Sequence, residues 1–321
     1  MSILRSQLSF DIRHLPLVVL LIMGGLLPFL NLNAYVLHLF TIVAIGSILA
    51  LGLQLLVGGA GLLSIGQAAF FGVGAYTSGI LTLKLHQPFL LGFFCAGVAA
   101  AITSLLMVPI TRLRGAYLAV ATLGFTLIVH LVLKNEEWLT GGAFGLMNLP
   151  RPSLFGIEIR SATAVYYLSF SVLFVIVVAM ARLQNSRFGR AINAIRQDEV
   201  AAQACGISLI YHKSVCFIIA ALVSGFAGAL YAHESRYLSP NDFDFVKSMD
   251  ILIMIVIGGI GSIEGAILGA AVVVLLPEYL HAFSEYRMLI YGAVLVGSML
   301  VGTGGLAGLL QRLLATVSRA R

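Results

Sequence analysis

Ser64 and Gln67 stand three residues apart in an otherwise apolar stretch, so on a helix they would present a hydroxyl and an amide on one face. An amide in a membrane-spanning segment normally faces the bundle interior or a wet cavity, where it can hydrogen-bond a solute. Thr122 and Thr126 are four apart and share a face in the same way. Two bland readings compete. A helical hydroxyl can bond its own backbone, and the glycines around Ser64 and Gln67 can serve close helix packing. Other chemistries lack their parts. No Gly-x-x-x-x-Gly-Lys-[Ser/Thr] run cradles phosphate, no His-Glu-x-x-His binds metal, and neither Ser64 nor Ser262 lies in a Gly-x-Ser-x-Gly elbow. Asp250, Glu278 and Glu285 fall at the ends of apolar runs, with His38 and His130 near outer ends, so no acidic chain crosses the interior. If this chain moves a solute against a gradient, the energy comes from a partner.

These residues must be held by helices in lipid. The 321 residues are 60% hydrophobic and 10% charged, against about 25% charged in a soluble domain. So few charges cannot cover a water-exposed surface. The apolar runs are long and continuous, which favours helices over the alternating segments of a barrel. The expected fold class is an all-α integral membrane protein with about ten transmembrane helices, near 15–30, 36–57, 62–83, 88–110, 116–133, 163–181, 214–233, 250–262, 265–280 and 287–305. The eighth and ninth are short, and one kinked helix or two half-helices are the alternatives. The first run follows Arg5 and Arg13, but Asn31-Leu32-Asn33 rather than a small-x-small site comes after it, so a retained helix is expected rather than a signal peptide. Cys95, Cys205 and Cys216 form neither a disulfide framework nor a metal site.

Placing the N-terminus inside puts Arg5, Arg13, Arg112, Arg114, Arg182, Arg187, Arg190, Arg196, Lys213, Arg312, Arg319 and Arg321 on the inner face, twelve in all. Seven remain outside: Lys84, Lys134, Arg151, Arg160, Arg236, Lys247 and Arg287. This bias predicts an N-in, C-in orientation and explains the +6 charge without nucleic acid. The chain reads as a single domain over 1–321. Two connections exceed the usual 2–8 residues: about 134–162 outside, with Thr140, Gly141 and Gly142, and about 182–213 inside. In the inner one, Ala191, Ile195, Ala202 and Cys205 fall roughly on one stripe. Asp198 is placed to cap a second short helix, and Gly206 to end it. This segment is either an interfacial helix or a docking helix for a cytoplasmic partner. Gly58-Gly59-Ala60-Gly61 and Gly258-Gly259-Ile260-Gly261 form a faint internal echo, which ordinary helix-end glycines would also produce.

Five blocks in order carry a resemblance. They are Gly61-Leu62-Leu63-Ser64-Ile65-Gly66-Gln67-Ala68-Ala69-Phe70 with Gly74-Ala75-Tyr76; Leu113-Arg114-Gly115-Ala116-Tyr117-Leu118-Ala119-Val120-Ala121-Thr122-Leu123; Leu139-Thr140-Gly141-Gly142 with Gly145-Leu146; Gly189-Arg190-Ala191 through Ala194-Ile195-Arg196 to Glu199, Ala202 and Gly206; and Gly258-Gly259-Ile260-Gly261-Ser262 with Gly265-Ala266 and Leu268-Gly269-Ala270. Over roughly 36–306 the sequence resembles the LivM-type inner-membrane permeases of branched-chain amino acid ABC importers. Gly59, Leu62 and Gly302-Thr303 depart from that pattern.

The resemblance implies a type II importer-like permease bundle in the bacterial inner membrane. It implies a LivH-type homologous permease as partner, two cytoplasmic ATPases that carry the ATP and magnesium, and a periplasmic binding protein that delivers substrate. This chain would bind no cofactor and would not itself be an enzyme. Arg190, Ala194, Ile195, Arg196, Asp198, Glu199, Ala202 and Gly206 would belong to the segment that docks on the ATPases. The substrate would be leucine, isoleucine or valine, with urea, amides and aromatic acids as the family's other cargoes. An ion-coupled secondary transporter is the rival from another class. A membrane enzyme or scaffold is a further one, but no catalytic constellation supports it.

Overall fold

A computed structural model describes residues 15–30, 33–113, 115–154 and 157–279, together with positions 292, 305, 306 and 308. The predicted last span, 287–305, lies almost wholly outside them. The helices are α1 (Leu15–Leu26), α2 (Ala34–Gln54), α3 (Gln67–Leu83), α4 (Phe89–Ser104), α5 (Ala116–Asn135), α6 (Glu137–Thr140), α7 (Ala162–Asn185), α8 (Arg187–Gln197), α9 (Glu199–Ala204), α10 (Leu209–Ser235), α11 (Phe245–Gly258) and α12 (Ile263–Tyr279). The chain is not purely helical. Two-residue strands pair antiparallel, β1 (Leu146–Met147) with β4 (Tyr237–Leu238) and β2 (Ser153–Leu154) with β3 (Ile157–Glu158).

Five helices among the described residues are long and apolar enough to cross a bilayer: Ala34–Gly59, Phe89–Met107, Ala116–Asn135, Ala162–Asn185 and Leu209–Ser235. A straight crossing takes about 20 residues. The predicted third span, 62–83, therefore falls short, because its helix begins only at Gln67 and runs for 17 residues. The predicted eighth and ninth are separate helices of 14 and 17 residues that pack against each other. Asp250 lies in the second turn of α11 rather than at the start of the run, since that helix begins five residues earlier.

α10 is the centre of the bundle. Its small residues, Ser224, Gly225, Ala227 and Gly228, are buried between α3 and α4. A Cβ at Gly74 would stand 2.4 Å from the Gly225 Cα, one at Gly225 would stand 2.5 Å from the Ala96 carbonyl oxygen, and one at Gly228 would stand 2.3 Å from that of Phe71. The three backbones therefore touch, and dispersion between them replaces the hydrophobic drive that lipid does not supply. Around this contact Phe93 stacks on Phe226 at 4.7 Å, and Phe71, Tyr76 and Tyr231 surround Phe243.

One end of the bundle carries α6 and the strand pairs. There His233 bridges Ser78 Oγ (3.0 Å) and the Pro150 carbonyl (2.8 Å), and Leu149 and Arg236 exchange two hydrogen bonds. Thr140 bonds the carbonyls of Leu133 (2.8 Å) and Glu136, and Gly141 and Gly142 take the left-handed conformation that reverses the chain after α6. The opposite end carries α8 and α9.

Candidate functional site

The helix expected to hold Ser64 is broken there. α2 ends in a π-helical turn over Leu55–Gly59, residues 61–66 are not helical, and α3 starts at Gln67. Ser64 and Gln67 therefore do not share a helix face, although both are fully buried. An irregular backbone inside an apolar bundle needs side-chain partners, and α5 supplies them from near its middle. The Ile65 amide donates to Thr122 Oγ1 at 2.9 Å, and Thr126 Oγ1 donates to the Ile65 carbonyl at 3.0 Å. The Gly66 amide donates to Ser64 Oγ at 3.3 Å, and the Ala68 amide to Ser248 Oγ at 3.2 Å. Both threonines also bond their own helix, so the bland reading of the pair holds alongside the cross-helix one.

Gln67 Nε2 donates to Ser224 Oγ at 2.5 Å and to the Ala220 carbonyl at 3.3 Å. Gly52 makes room for it, since a Cβ there would stand 2.8 Å from that nitrogen. Its Oε1 has no hydrogen-bond partner among the described residues. Ser64, Gln67, Thr122, Thr126, Ser224 and Ser248 thus form a buried seam of hydroxyls and one amide. The seam can donate and accept hydrogen bonds, and none of its side chains titrates at physiological pH. Ser224 escapes the sequence reading because only Ala and Gly stand at helical spacing from it, and Ser248 because it lies in a polar run before an apolar stretch and looks like a boundary residue.

At the other end, α8 is held by one face. Ser186 Oγ accepts from the Gly189 amide, and Gly189 permits the tight α7–α8 corner, where a Cβ would stand 2.2 Å from the Gln184 carbonyl oxygen. Gly189, Ile192, Ile195 and Ala202 are the buried positions. The stripe is shifted from the expected one: Ala191 is half-buried and Cys205 exposed. Asp198 accepts from the Val200 and Ala201 amides and caps α9, and Gly206 follows that helix at φ +82°.

The docking candidates divide. Arg190 is exposed and bonds the Asn185 carbonyl, while Ala194 is half-buried. Ile195 and Ala202 are only 2% and 4% exposed, so they hold the segment to the bundle rather than offer it outward. Glu199 pairs with Lys213 at 2.6 Å, and Arg196, although exposed, donates through its guanidinium to the Gly58 carbonyl. The two glycine echoes meet beneath it: a Cβ at Gly58 would stand 2.8 Å from the Gly261 nitrogen.

A bundle of apolar helices, five of them long enough to span a bilayer among the described residues, stitched inside by hydroxyls and carrying α8 and α9 at one end, is that of a multi-pass membrane protein. The family described as "Branched-chain amino acid transport system / permease component" matches residues 35–299, and the chain belongs to it. It is 36% identical to the high-affinity branched-chain amino acid transport system permease protein LivM of Salmonella typhimurium, over 90% of this chain and 74% of that one. The LivM protein of Escherichia coli matches to the same extent. The LivH permease protein of Escherichia coli is 24% identical over 84% of this chain and 94% of its own. No solved structure matches the chain.

Proposed function

We propose that this chain is one of two membrane-spanning subunits of a binding-protein-dependent ABC importer for leucine, isoleucine and valine. The observation that carries this is the family match over residues 35–299, supported by 36% identity to LivM. Likeness to LivH as well as LivM supports a homologous permease as partner, with the solute passing between the two. In this reading the chain has about ten spans, N-in and C-in, in the bacterial inner membrane. The α8–α9 end is cytoplasmic and the α6 end extracytoplasmic, where a binding protein delivers substrate. Two cytoplasmic ATPases bind ATP and magnesium, and they dock on the open face of α8–α9 formed by Arg187, Arg190, Asn193, Gln197 and Val200. Ser64, Gln67, Thr122 and Thr126 line the pathway when it opens.

The test is leucine uptake into proteoliposomes holding this chain, a LivH-type permease, both ATPases and loaded binding protein. Uptake should require ATP inside and survive collapse of ion gradients. Uptake that persists without the ATPases and follows an ion gradient refutes the reading in favour of a secondary transporter. Uptake of urea, an amide or an aromatic acid in place of leucine keeps the class and overturns the cargo.

A further inference from the structure

The α8–α9 segment meets the rest of the bundle where two glycine turns from distant parts of the chain lie against each other. One turn ends α2, at Gly58 to Gly61, and the other joins α11 to α12, at Gly258 to Ser262. The Arg196 Nη1 donates to the Gly58 carbonyl at 2.5 Å. Its stem crosses Gly61, where a Cβ would stand 3.3 Å from Arg196 Cγ, and its Nη1 would stand 3.5 Å from a Cβ at Gly261. Ile192, one turn earlier in α8, reaches Gly59, with its Cδ1 3.2 Å from a Cβ there.

Behind these contacts sits Gln54, 2% exposed, in the last turn of α2. Its Nε2 spans to the carbonyls of Gly259 (3.4 Å) and Ser262 (3.2 Å), and its Oε1 has no hydrogen-bond partner among the described residues. The two turns are thus pinned to each other by Gln54 and to α8 by Arg196. At Gly58, Gly61 and Gly261, where the contacts are closest, no side chain cushions a displacement. The Gln54 bonds across the contact, at 3.2 and 3.4 Å, are long, which suits a contact that must break and remake rather than one fixed for good.

We infer that Arg196 and Gln54 are positioning residues that transmit movement of the α8–α9 segment to the paired glycine turns, opening and closing the bundle at that end. This rests on the proposed function, in which the ATPases act on that segment. It gives Arg196 an inward role distinct from docking. Arg196 is an exposed residue, but its Nη1 bonds this chain's own backbone.

Arg196→Met keeps the aliphatic stem that lies on Gly61 and removes only the donor; Arg196→Lys restores a donor. Arg182→Met, an exposed arginine at the same end outside the contact, is the control. In the reconstituted complex Arg196→Met should still bring down the ATPases, and leucine moved per ATP hydrolysed should fall by about tenfold, a typical coupling energy. Arg196→Lys should recover a large part of that ratio, and Arg182→Met should keep it. An unchanged ratio in Arg196→Met overturns the inference. So does loss of the ATPases from that variant, which would make Arg196 a docking contact.

Hydrogen exchange on this chain alone, in lipid nanodiscs, reads the link without partners. The Ala60, Leu62 and Gly259 amides should exchange faster in Arg196→Met by about threefold or more and be unaffected in Arg182→Met. Equal exchange in both overturns the link. If the unsubstituted complex takes up no leucine with ATP, the proposed function fails, and the exchange experiment still decides the contact.

Discussion

Glu199 and Lys213 give the sharpest division between an anchoring and a docking role for α9. The two side chains meet at 2.6 Å, with Lys213 4% exposed and Glu199 26% exposed. Removing one partner of a buried ion pair strands the other charge and costs roughly 3–5 kcal/mol. Glu199 is about a quarter open to solvent, so water offsets part of that, and the expected loss is about 2–3 kcal/mol. Glu199→Arg adds repulsion to the stranded lysine and should lift α9 from α10. ATPase capture would then fall because the platform is gone, not because a contact is missing. Detergent-titrated unfolding of the purified chain measures the first effect and co-purification of the ATPases the second. Combining Glu199→Lys with Lys213→Glu restores an opposite-charge pair in place and should recover half or more of both losses. Two results refute the reasoning. One is a swap no better than the sum of its single variants. The other is a Glu199→Arg chain of undiminished stability that has lost the ATPases, since that carboxylate would then point outward to a partner.

The seam predicts different outcomes for its hydroxyls and its amide. Thr122→Val strands the part-buried Ile65 amide and should destabilise by about 1–3 kcal/mol in the same unfolding assay, while Thr122→Ser should be close to neutral. Gln67→Leu should change stability by less than about 1 kcal/mol, because Ser224 keeps its own bond to the Ala220 carbonyl, yet it should reduce uptake; normal uptake would return Gln67 to packing. Gly225→Val drives a branched side chain into the Ala96 carbonyl and should cost more than the roughly 1–3 kcal/mol of ordinary overpacking, read as loss of folded chain on expression. A cysteine at Ser153 should react with an impermeant thiol reagent on intact spheroplasts, and the exposed Cys205 only after permeabilisation; the reverse pattern overturns the orientation.

Much of the bundle was legible because apolar runs and polar breaks follow directly from the absence of water in lipid. The helix starts α5 at Ala116 and α7 at Ala162 fall within a residue of expectation. What escaped was where a helix stops inside an apolar run. Leu62, Leu63 and Ile65 look helical by composition. Nothing local in the sequence announces that Thr122 and Thr126, about sixty residues on, will carry their backbone bonds. The partners of the charged residues are hidden for a related reason. Arg196 is exposed, yet its guanidinium meets the Gly58 carbonyl, and Glu199 meets Lys213 on another helix; such pairings are tertiary. Gln54 left no trace at all, since a lone amide at the end of a long apolar helix looks like a boundary marker. The glycine echo was visible, but not that its two halves touch.

The contact of α3, α10 and α4 through bare backbone has a mechanical consequence. Where side chains separate two helices, rotamer changes let one slide over the other by small steps. Gly74, Gly225 and Gly228 leave no such layer, and any relative shift first requires prising main chains apart. These three helices therefore behave as one stiff plate. In the proposed importer, bending would then fall at the plate's margins, at residues 61–66 beside α3 and at 259–262 between α11 and α12, and a rotation applied at the α8–α9 end would reach the α6 end as a displacement set by the length of α10.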